Sequence, residues 1–405
     1  MTAFSVRQLS IVNWQFRAAI VVVFLAVLAS SRLWIRRPLF RWSARALCLP
    51  LALAFVGATI NAHYGYFPTL GSLLGRTAAD QISSAALAQL EQNSLGVVHG
   101  RRHQAAHVDT PKPALPSHGV VIGFSMPATV SHFPARTGQV YLPPAWFANP
   151  HPHLPVIELL HGSPGSPADW TRGGGADLTA DKFARTHDGK APILVMPDVN
   201  GKDWWHDSEC VDGPQGNAET YLTTDVRNAV VRAFAARADG DSWAIAGLSE
   251  GGSCALQMGL RHPALYRVVG DFSGDDHPWI SGGLRRLFWG RSPSQLLRAE
   301  QSYDPRAILS RWHAGEAPAI VFSAGRDDSL VPKMDRLLVE ARRDHITATL
   351  DVYAGGHTFW FWNESLARSL PWIMQHLTAP EAPKLTTVRT SSSAQTNGMT
   401  CGHKA

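Results

Sequence analysis

Aspartate and glutamate are absent from the first 65 residues of this 405-residue chain, although the whole chain contains 32 of them. The net charge of +5 therefore arises in this segment, which carries Arg7, Arg17, Arg32, Arg36, Arg37, Arg41 and Arg45. Beyond it, the chain has no stripe of lysine and arginine and no aromatic RNA-binding motif, which argues against a nucleic-acid partner. No internal repeat is evident. The length and the 45% hydrophobic content suit one large domain with appendages.

Cysteine is scarce as well, with four in the chain and none among the histidines that recur between positions 99 and 107. On a helix, His99, His103 and His107 would share one face and could bind a metal ion. Gly100 and the lack of a carboxylate or cysteine partner at the same spacing favour a solvated linker instead. We therefore predict no metal site here.

Two apolar runs lie in the arginine-rich N-terminus. Residues 18–31 lie between Trp14 and Trp34, which are 20 residues apart, and this corresponds to about 30 Å of helix, close to the hydrocarbon thickness of a bilayer. Residues 46–60 form the second run, and aromatic residues near both ends of each run suit the two membrane interfaces. The pattern predicts two transmembrane helices, although a signal peptide followed by a hydrophobic core helix would give the same pattern.

The loop between the two runs determines the expected orientation. Residues 32–45 carry five arginines, and short arginine-rich loops stay in the cytoplasm, so the chain after the second run is expected on the extracytoplasmic side of a cell membrane. The predicted organisation is a membrane anchor at 1–62, a juxtamembrane segment at 63–118 with an amphipathic helix at 77–95 followed by a polar linker, a large domain at 119–378, and a disordered tail at 379–405.

The sequence Gly247-Leu248-Ser249-Glu250-Gly251 fits the pattern G-x-S-x-G. A strand-like stretch, residues 243–246, precedes it, and a helical pattern, residues 252–260, follows it. A sharp strand-to-helix turn raises a serine hydroxyl above a sheet, and glycines at the flanking positions allow the backbone to turn that tightly. Ser249 is therefore the candidate nucleophile, provided that a base and an acid follow it in the chain.

The candidate base is His357. A predicted strand at 348–353 is followed by an alanine and two glycines, and the glycines free the backbone so that the imidazole can reach over the edge of the sheet. A serine nucleophile needs such a base, and the base needs an orienting carboxylate, in the chain order serine, acid, histidine.

The candidate acid follows an earlier predicted strand at 317–325. Asp327 and Asp328 both come directly after it. We predict Asp328, because residues 325–332 then match the phrase G-x-x-D-x-x-V-P that is common after the acid-bearing strand of this arrangement. Asp327 remains the alternative.

An oxyanion hole requires backbone N–H groups that face the reacting carbonyl. A predicted strand at 154–160 leads into the loop His161-Gly162-Ser163-Pro164-Gly165. We expect the N–H groups of Ser163 and Glu250 to be the donors, since such sites combine a loop amide with the amide after the nucleophile.

Taken together, these residues resemble the putative-esterase branch of the α/β-hydrolases, which includes esterase D and the mycolyltransferases of actinobacterial envelopes. The resemblance spans roughly residues 119–378 and lies in the phrases Glu158-Leu159-Leu160-His161-Gly162, Asp169-Trp170, Val195-Met196-Pro197-Asp198, Trp204-Trp205, Glu219-Thr220-Tyr221-Leu222, Gly247 to Gly252, Arg261-His262-Pro263 and Gly355-Gly356-His357. It implies an α/β-hydrolase fold, with a mostly parallel central sheet flanked by helices. Mycolyltransferases differ in having a glutamate as triad acid and no glutamate after the serine.

Two cysteines are candidates for a disulfide. Cys48 lies in the second apolar run and Cys401 in the tail, whereas Cys210 and Cys254 both lie in the large domain. An oxidising extracytoplasmic compartment would favour their pairing, and both are expected above the sheet near the nucleophile. Two buried thiols are the alternative.

The sequence thus predicts a membrane-anchored serine esterase that forms an acyl-enzyme on a lipid or cell-envelope ester and needs no metal or organic cofactor. An acyltransferase that passes the acyl group to a sugar or polyol is the alternative, and a non-catalytic binding module is less consistent with a complete triad. An ester substrate and the membrane are the expected partners. Aromatic residues near the predicted loops either wall an acyl groove or belong to the core, namely Trp170, Trp204, Trp205, Phe359, Trp360 and Trp362.

Overall fold

A computed structural model describes residues 9–33, 38–74, 81–82, 115–148, 151–202, 206–281, 283–312 and 316–377. The strands are β1 (Gln81–Ile82), β2 (Val120–Phe124), β3 (Gly138–Leu142), β4 (Val156–Leu160), β5 (Ile193–Met196), β6 (Asp212–Gly213), β7 (Gly216–Asn217), β8 (Trp243–Leu248), β9 (Val268–Phe272), β10 (Ala319–Gly325) and β11 (Ala348–Tyr353). The α-helices are α1 (Trp14–Leu33), α2 (Pro38–Tyr64), α3 (Leu70–Leu73), α4 (Asp169–Arg172), α5 (Ala176–Arg185), α6 (Ala218–Thr220), α7 (Arg227–Phe234), α8 (Glu250–Arg261), α9 (Pro293–Tyr303), α10 (Pro305–Leu309), α11 (Val331–Arg343) and α12 (Phe359–His376). A π-helical turn, Tyr221–Val226, joins α6 to α7, and 3₁₀ turns occupy Pro144–Phe147, Gly240–Ser242 and Leu284–Arg286.

Nine of the described strands form one sheet in the order β1-β2-β3-β5-β4-β8-β9-β10-β11. β3 pairs antiparallel with β2 and β5, whereas the remaining pairs in this sheet are parallel. Strands β4, β5, β8 and β9 carry buried residues throughout, as parallel strands covered on both faces do. The predicted architecture, a mostly parallel sheet flanked by helices, is therefore confirmed.

The sheet separates two apolar cores. In β4, Val156 and Leu160 lie in one core, whereas Ile157 and Leu159 lie in the other, as the alternation of side chains along a strand requires. Helices α7, α8 and α11 cover the first face, and α5 and α12 cover the second. Because β4, β8, β10 and β11 run parallel, the loops at their carboxyl ends meet at one edge of the sheet, where sites of open α/β sheets form.

Helices α1 and α2 form a hairpin whose two ends meet beside the large domain. The Leu70 N–H donates to the Leu9 carbonyl oxygen at 2.9 Å, and the Ile11 N–H donates to the Pro68 carbonyl oxygen at 3.2 Å. Residues Trp14–Arg32 and Arg45–Tyr64 are long and apolar enough to cross a membrane. Large apolar side chains point outward from both helices, among them Val22, Leu25, Leu49 and Leu53. The hairpin is compatible with a membrane anchor.

One part of the predicted juxtamembrane helix at 77–95 is wrong. Gln81–Ile82 forms strand β1, which pairs in parallel with Val121 and Ile122 of β2. The unpaired backbone groups at the edge of β2 offer hydrogen bonds to an extended segment, and this pairing overrides the helical pattern. The other residues of that predicted helix, the three histidines between 99 and 107, and the predicted tail at 379–405 lie outside the described residues.

Candidate active site

Ser249 lies in the turn between β8 and α8 with φ 55° and ψ −126°, a backbone conformation that few residues other than glycine adopt. The flanking glycines are required sterically. A Cβ added to Gly247 would lie 1.9 Å from the Gly251 carbonyl oxygen, and one added to Gly251 would lie 2.3 Å from the Leu160 carbonyl oxygen. The Ser249 N–H donates to the Phe272 carbonyl oxygen of the neighbouring strand at 2.9 Å, which fixes the turn above the sheet.

A chain of hydrogen bonds joins Ser249, His357 and Asp328. The Ser249 Oγ and the His357 Nε2 are 2.9 Å apart, and the His357 Nδ1 lies 2.9 Å from the Asp328 Oδ2. The imidazole is 41% exposed, whereas the Asp328 side chain is 2% exposed. An accessible histidine between a serine and a buried carboxylate has the geometry of an activated nucleophile.

The structure distinguishes the two adjacent aspartates. Asp327 is exposed, and its N–H donates to the Gly355 carbonyl oxygen at 2.9 Å. This bond joins the loop that contains both aspartates to the loop that contains His357. Asp328 is buried and accepts from the Leu330 N–H at 3.1 Å as well as contacting His357. Burial by itself would raise the pKa of Asp328, but the hydrogen bonds from His357 and Leu330 outweigh it and lower the pKa below its ordinary value. Asp328 is therefore ionised at neutral pH.

The loop that follows β4 lies against Ser249. A Cβ added to Gly162 would lie 3.1 Å from the Ser249 Cβ, and Ser163 lines the same cavity as Ser249. The buried His161 supports this loop, because its Nδ1 lies 2.8 Å from the Gly162 carbonyl oxygen and its Nε2 lies 3.2 Å from the Asp198 Oδ1. Glu250 is the first residue of α8. At this end of a helix the backbone N–H groups have no partner within the helix, and the helix dipole is positive.

Three carboxyl groups cluster beside this helix start. Asp207, Glu209 and Glu250 each place one oxygen within 4.8 Å of the others, a donor set that suits a hard divalent cation. Burial raises the pKa of the Glu250 carboxyl well above its ordinary value, the neighbouring Asp207 raises it further, and the Asn200 amide, 3.0 Å away, opposes them. Burial and the neighbouring Asp207 carboxyl thus both favour the protonated form of Glu250.

The candidate site opens into an apolar cavity of about 920 Å³. Its lining combines Ser249, His357 and Phe359 with side chains from α1 and α2, and also includes Trp362. Two of the predicted groove residues do not line it. Trp170 is fully buried in the core, where its indole N–H donates to the Leu160 carbonyl oxygen at 2.9 Å. Trp360 instead donates to the Ala62 carbonyl oxygen of α2 at 3.2 Å, and Trp204 and Trp205 lie outside the described residues.

Cys210 and Cys254 form a disulfide with a Cα–Cα distance of 5.6 Å. Cys254 lies on α8, five residues after Ser249, and Cys210 lies in the loop that carries Glu209. Gln257 joins the same two elements, since its Nε2 donates to the carbonyl oxygens of Glu209 and Cys210 at 3.2 and 3.4 Å. The disulfide and the amide together hold this loop against α8.

Tyr66 is a site residue that the sequence pattern did not indicate. Its hydroxyl donates to the Asp169 Oδ1 at 2.7 Å, and Ser166, in the loop after β4, also donates to that carboxylate. Burial and the Asp169 charge raise the pKa of Tyr66 to about 12. The contact joins the end of the helical hairpin to the loop beside Ser249 across 103 residues of chain, so no local motif could have predicted it.

Comparison with known sequences identifies the family. The model of the family described as putative esterase matches residues 134–373. An uncharacterized protein of Corynebacterium glutamicum is 33% identical over 334 residues, which cover 80% of this chain and 74% of that protein. An acetyl esterase of Caldicellulosiruptor saccharolyticus is 22% identical over 238 residues, covering 55% of this chain and 84% of that enzyme.

Solved structures share the fold. A ferulic acid esterase matches with a TM-score of 0.54 at 22% identity and covers 64% of this chain and 98% of its own. An S-formylglutathione hydrolase from Agrobacterium tumefaciens matches with a TM-score of 0.55 at 19% identity, covering 65% of this chain and 97% of its own. A fluorophosphonate-binding serine hydrolase of Staphylococcus aureus gives a TM-score of 0.53 at 17% identity and covers 63% of this chain and 98% of its own. The chain therefore belongs to the putative-esterase family, and it is an esterase-type hydrolase of the α/β-hydrolase fold.

Proposed function

We propose that this protein is a membrane-anchored serine esterase that cleaves a lipid or cell-envelope ester through an acyl-enzyme intermediate. The observation that carries the proposal is the hydrogen-bonded chain from Ser249 through His357 to Asp328, which opens into a cavity partly walled by the apolar helices α1 and α2. In this proposal, residues 1–62 anchor the enzyme and residues 119–378 carry the chemistry.

In the first half-reaction, the Ser249 oxygen attacks the ester carbonyl carbon while the His357 Nε2 takes the hydroxyl proton. The carbonyl oxygen becomes an oxyanion, which the N–H groups of Ser163 and Glu250 stabilise by hydrogen bonds. When the intermediate collapses, the bond to the alcohol oxygen breaks, and the alcohol leaves with the proton from His357. Asp328 accepts the hydrogen bond from the His357 Nδ1–H, which fixes the tautomer and stabilises the imidazolium.

In the second half-reaction, water attacks the acyl-enzyme carbonyl, and His357 takes one of its protons. The second tetrahedral intermediate collapses to a carboxylic acid, and the proton returns to the Ser249 oxygen. Every step uses side-chain and backbone groups of the chain itself.

A fluorophosphonate probe tests the proposal directly. We expect it to label the full-length chain at Ser249, as located by peptide mass spectrometry, and to abolish turnover of a p-nitrophenyl ester in proportion to labelling. Heat-denatured protein, in which the hydrogen-bonded chain is lost, is the control and should remain unlabelled. Absence of labelling in the native chain would refute the esterase mechanism. Formation of a sugar or glycerol ester in place of the free acid would instead identify acyl transfer.

A second expectation concerns topology. A reporter that is active only after export should be active when fused after Gly71, whereas a reporter that needs the cytoplasm should be inactive there. The reason is the cluster of arginines at residues 32–45, which orients the hairpin with this loop in the cytoplasm. Thiol labelling of a cysteine placed at Arg36 in intact cells and in inverted vesicles provides the matched control. Cytoplasmic activity of the fusion after Gly71 would overturn the assigned compartment.

A further inference from the structure

The cavity at Ser249 is built jointly by the anchor hairpin and the large domain. Phe16 and Ile20 of α1 and Gly57 and Ala58 of α2 line one part, and Ser249 lines the other. The volume of about 920 Å³ lies near the upper end of the range for ligand sites, about 300–1,000 Å³. A site with this composition fits a long apolar group whose one end reaches the candidate nucleophile.

Small residues on α2 create this space. Ala54, Gly57 and Ala58 have the i, i+3, i+4 spacing that places side chains on one face of a helix, and all three line the cavity. A Cβ added to Gly57 would meet no atom within 4 Å, so the helix faces open volume at this point. Glycine in a helix interior lowers helix stability. At this position the lack of a side chain leaves space for the apolar cavity.

The hairpin is fixed in position relative to Ser249. Tyr66, just after α2, donates to the Asp169 carboxylate at 2.7 Å, and Trp360 donates to the Ala62 carbonyl oxygen at 3.2 Å. The rings of Tyr66 and Phe359 also pack edge to face, with centroids 4.8 Å apart. These contacts align the cavity between the helices with the catalytic serine.

The outer faces of the same helices expose large apolar side chains, including Val22 at 65% and Leu53 at 62%. If the hairpin is embedded in a bilayer, lipid surrounds the cavity wall and an acyl chain can enter it from the membrane without crossing water. We infer that the acyl chain of the substrate lies in the cavity between α1, α2 and Ser249, and that the substrate is a long-chain acyl ester taken from the bilayer. This inference rests on the proposed function and specifies which part of the substrate the anchor helices bind.

The test compares acyl-chain preference in the full-length chain held in lipid nanodiscs. The substrates are p-nitrophenyl butanoate and p-nitrophenyl hexadecanoate, which differ only in acyl length. Gly57→Trp should lower the hexadecanoate-to-butanoate ratio of kcat/KM by roughly tenfold or more, the effect of excluding two or more methylene groups from an apolar site. Gly57→Leu should lower it less, and leucine is a better helix former than glycine, so loss of folding is not the explanation.

Val56→Trp is the matched control, because Val56 is the preceding residue of α2 and is 52% exposed. It should leave the wild-type ratio unchanged. A ratio that is unchanged in both Gly57 variants, or that falls equally in the Val56 variant, would overturn the acyl site. A parallel series uses acetate esters of short and long alcohols, in which only the alcohol part varies in length. If Gly57→Trp changed the preference for alcohol length instead of acyl length, the acyl site would also be overturned. Wild-type protein that cleaves neither ester and takes no fluorophosphonate would refute the proposed function itself, which is a distinct result.

Discussion

Ser249→Ala and His357→Ala are each expected to lower kcat for ester hydrolysis by on the order of 10⁶-fold while the domain stays folded. The first change removes the oxygen that attacks in the proposed mechanism, and the second removes the proposed base, whose Nε2 lies 2.9 Å from that oxygen. Because the members of such a chain act as one unit, the double variant should be only slightly less active than either single variant. Steady-state kinetics with a soluble ester measure kcat, and a thermal melt of each variant shows whether the domain is folded.

Asp328→Asn and Asp327→Asn form a matched pair within this prediction. Asp328→Asn should reduce kcat by on the order of 10⁴-fold, because an amide cannot hold the imidazole in the tautomer that accepts the serine proton. Asp327→Asn should have little effect, because Asp327 contacts the loop that contains His357 through its backbone N–H, which the substitution leaves in place. If Asp327→Asn were the more damaging change, the assigned role of Asp328 would be wrong.

The sequence predicted the strand ends of the candidate site because parallel topology brings them together. Ser249 follows β8, Asp328 follows β10 and His357 follows β11, so all three lie at the same edge of the sheet. The sequence favoured Asp328 over Asp327 only through the G-x-x-D-x-x-V-P motif. The physical distinction is that Asp328 is buried and Asp327 is exposed, and this depends on the fold of the loop, which the sequence does not show.

Long-range contacts account for what the sequence did not predict. The indole N–H of Trp170 is satisfied by Leu160 in the core, so an aromatic residue expected in a groove became part of the packing. The wall formed by α1 and α2 depends on Tyr66 meeting Asp169 and on Trp360 meeting Ala62, pairs separated by 103 and 298 residues. Periodicity and local motifs contain no information about such distant pairs. They do predict the turn that holds Ser249, because that turn is formed by neighbouring residues.

Replacing both cysteines of the Cys210–Cys254 bridge with alanine is expected to lower the free energy of unfolding by about 4 kcal/mol. The bridge closes a loop with a sequence separation of 44, and closing a loop of that length removes about this much chain entropy from the unfolded state. For a domain of this size the melting temperature should fall by roughly 10 °C. Cys48→Ala, in α2 and outside the bridge, is the control and should leave the melting temperature of the large domain unchanged.

Activity should fall together with stability in the double variant, because the bridge holds the loop of Glu209 against α8, the helix that begins directly after Ser249. The Gln257 amide still joins the two elements, so we expect a loss of roughly tenfold in kcat/KM rather than abolition, about 1.4 kcal/mol of transition-state stabilisation. Peptide mapping without reductant, on protein recovered from the cell envelope, tests the premise that the domain folds in an oxidising compartment. Recovery of both cysteines as alkylated free thiols would contradict the bridge and, with it, the extracytoplasmic location from which its formation was expected.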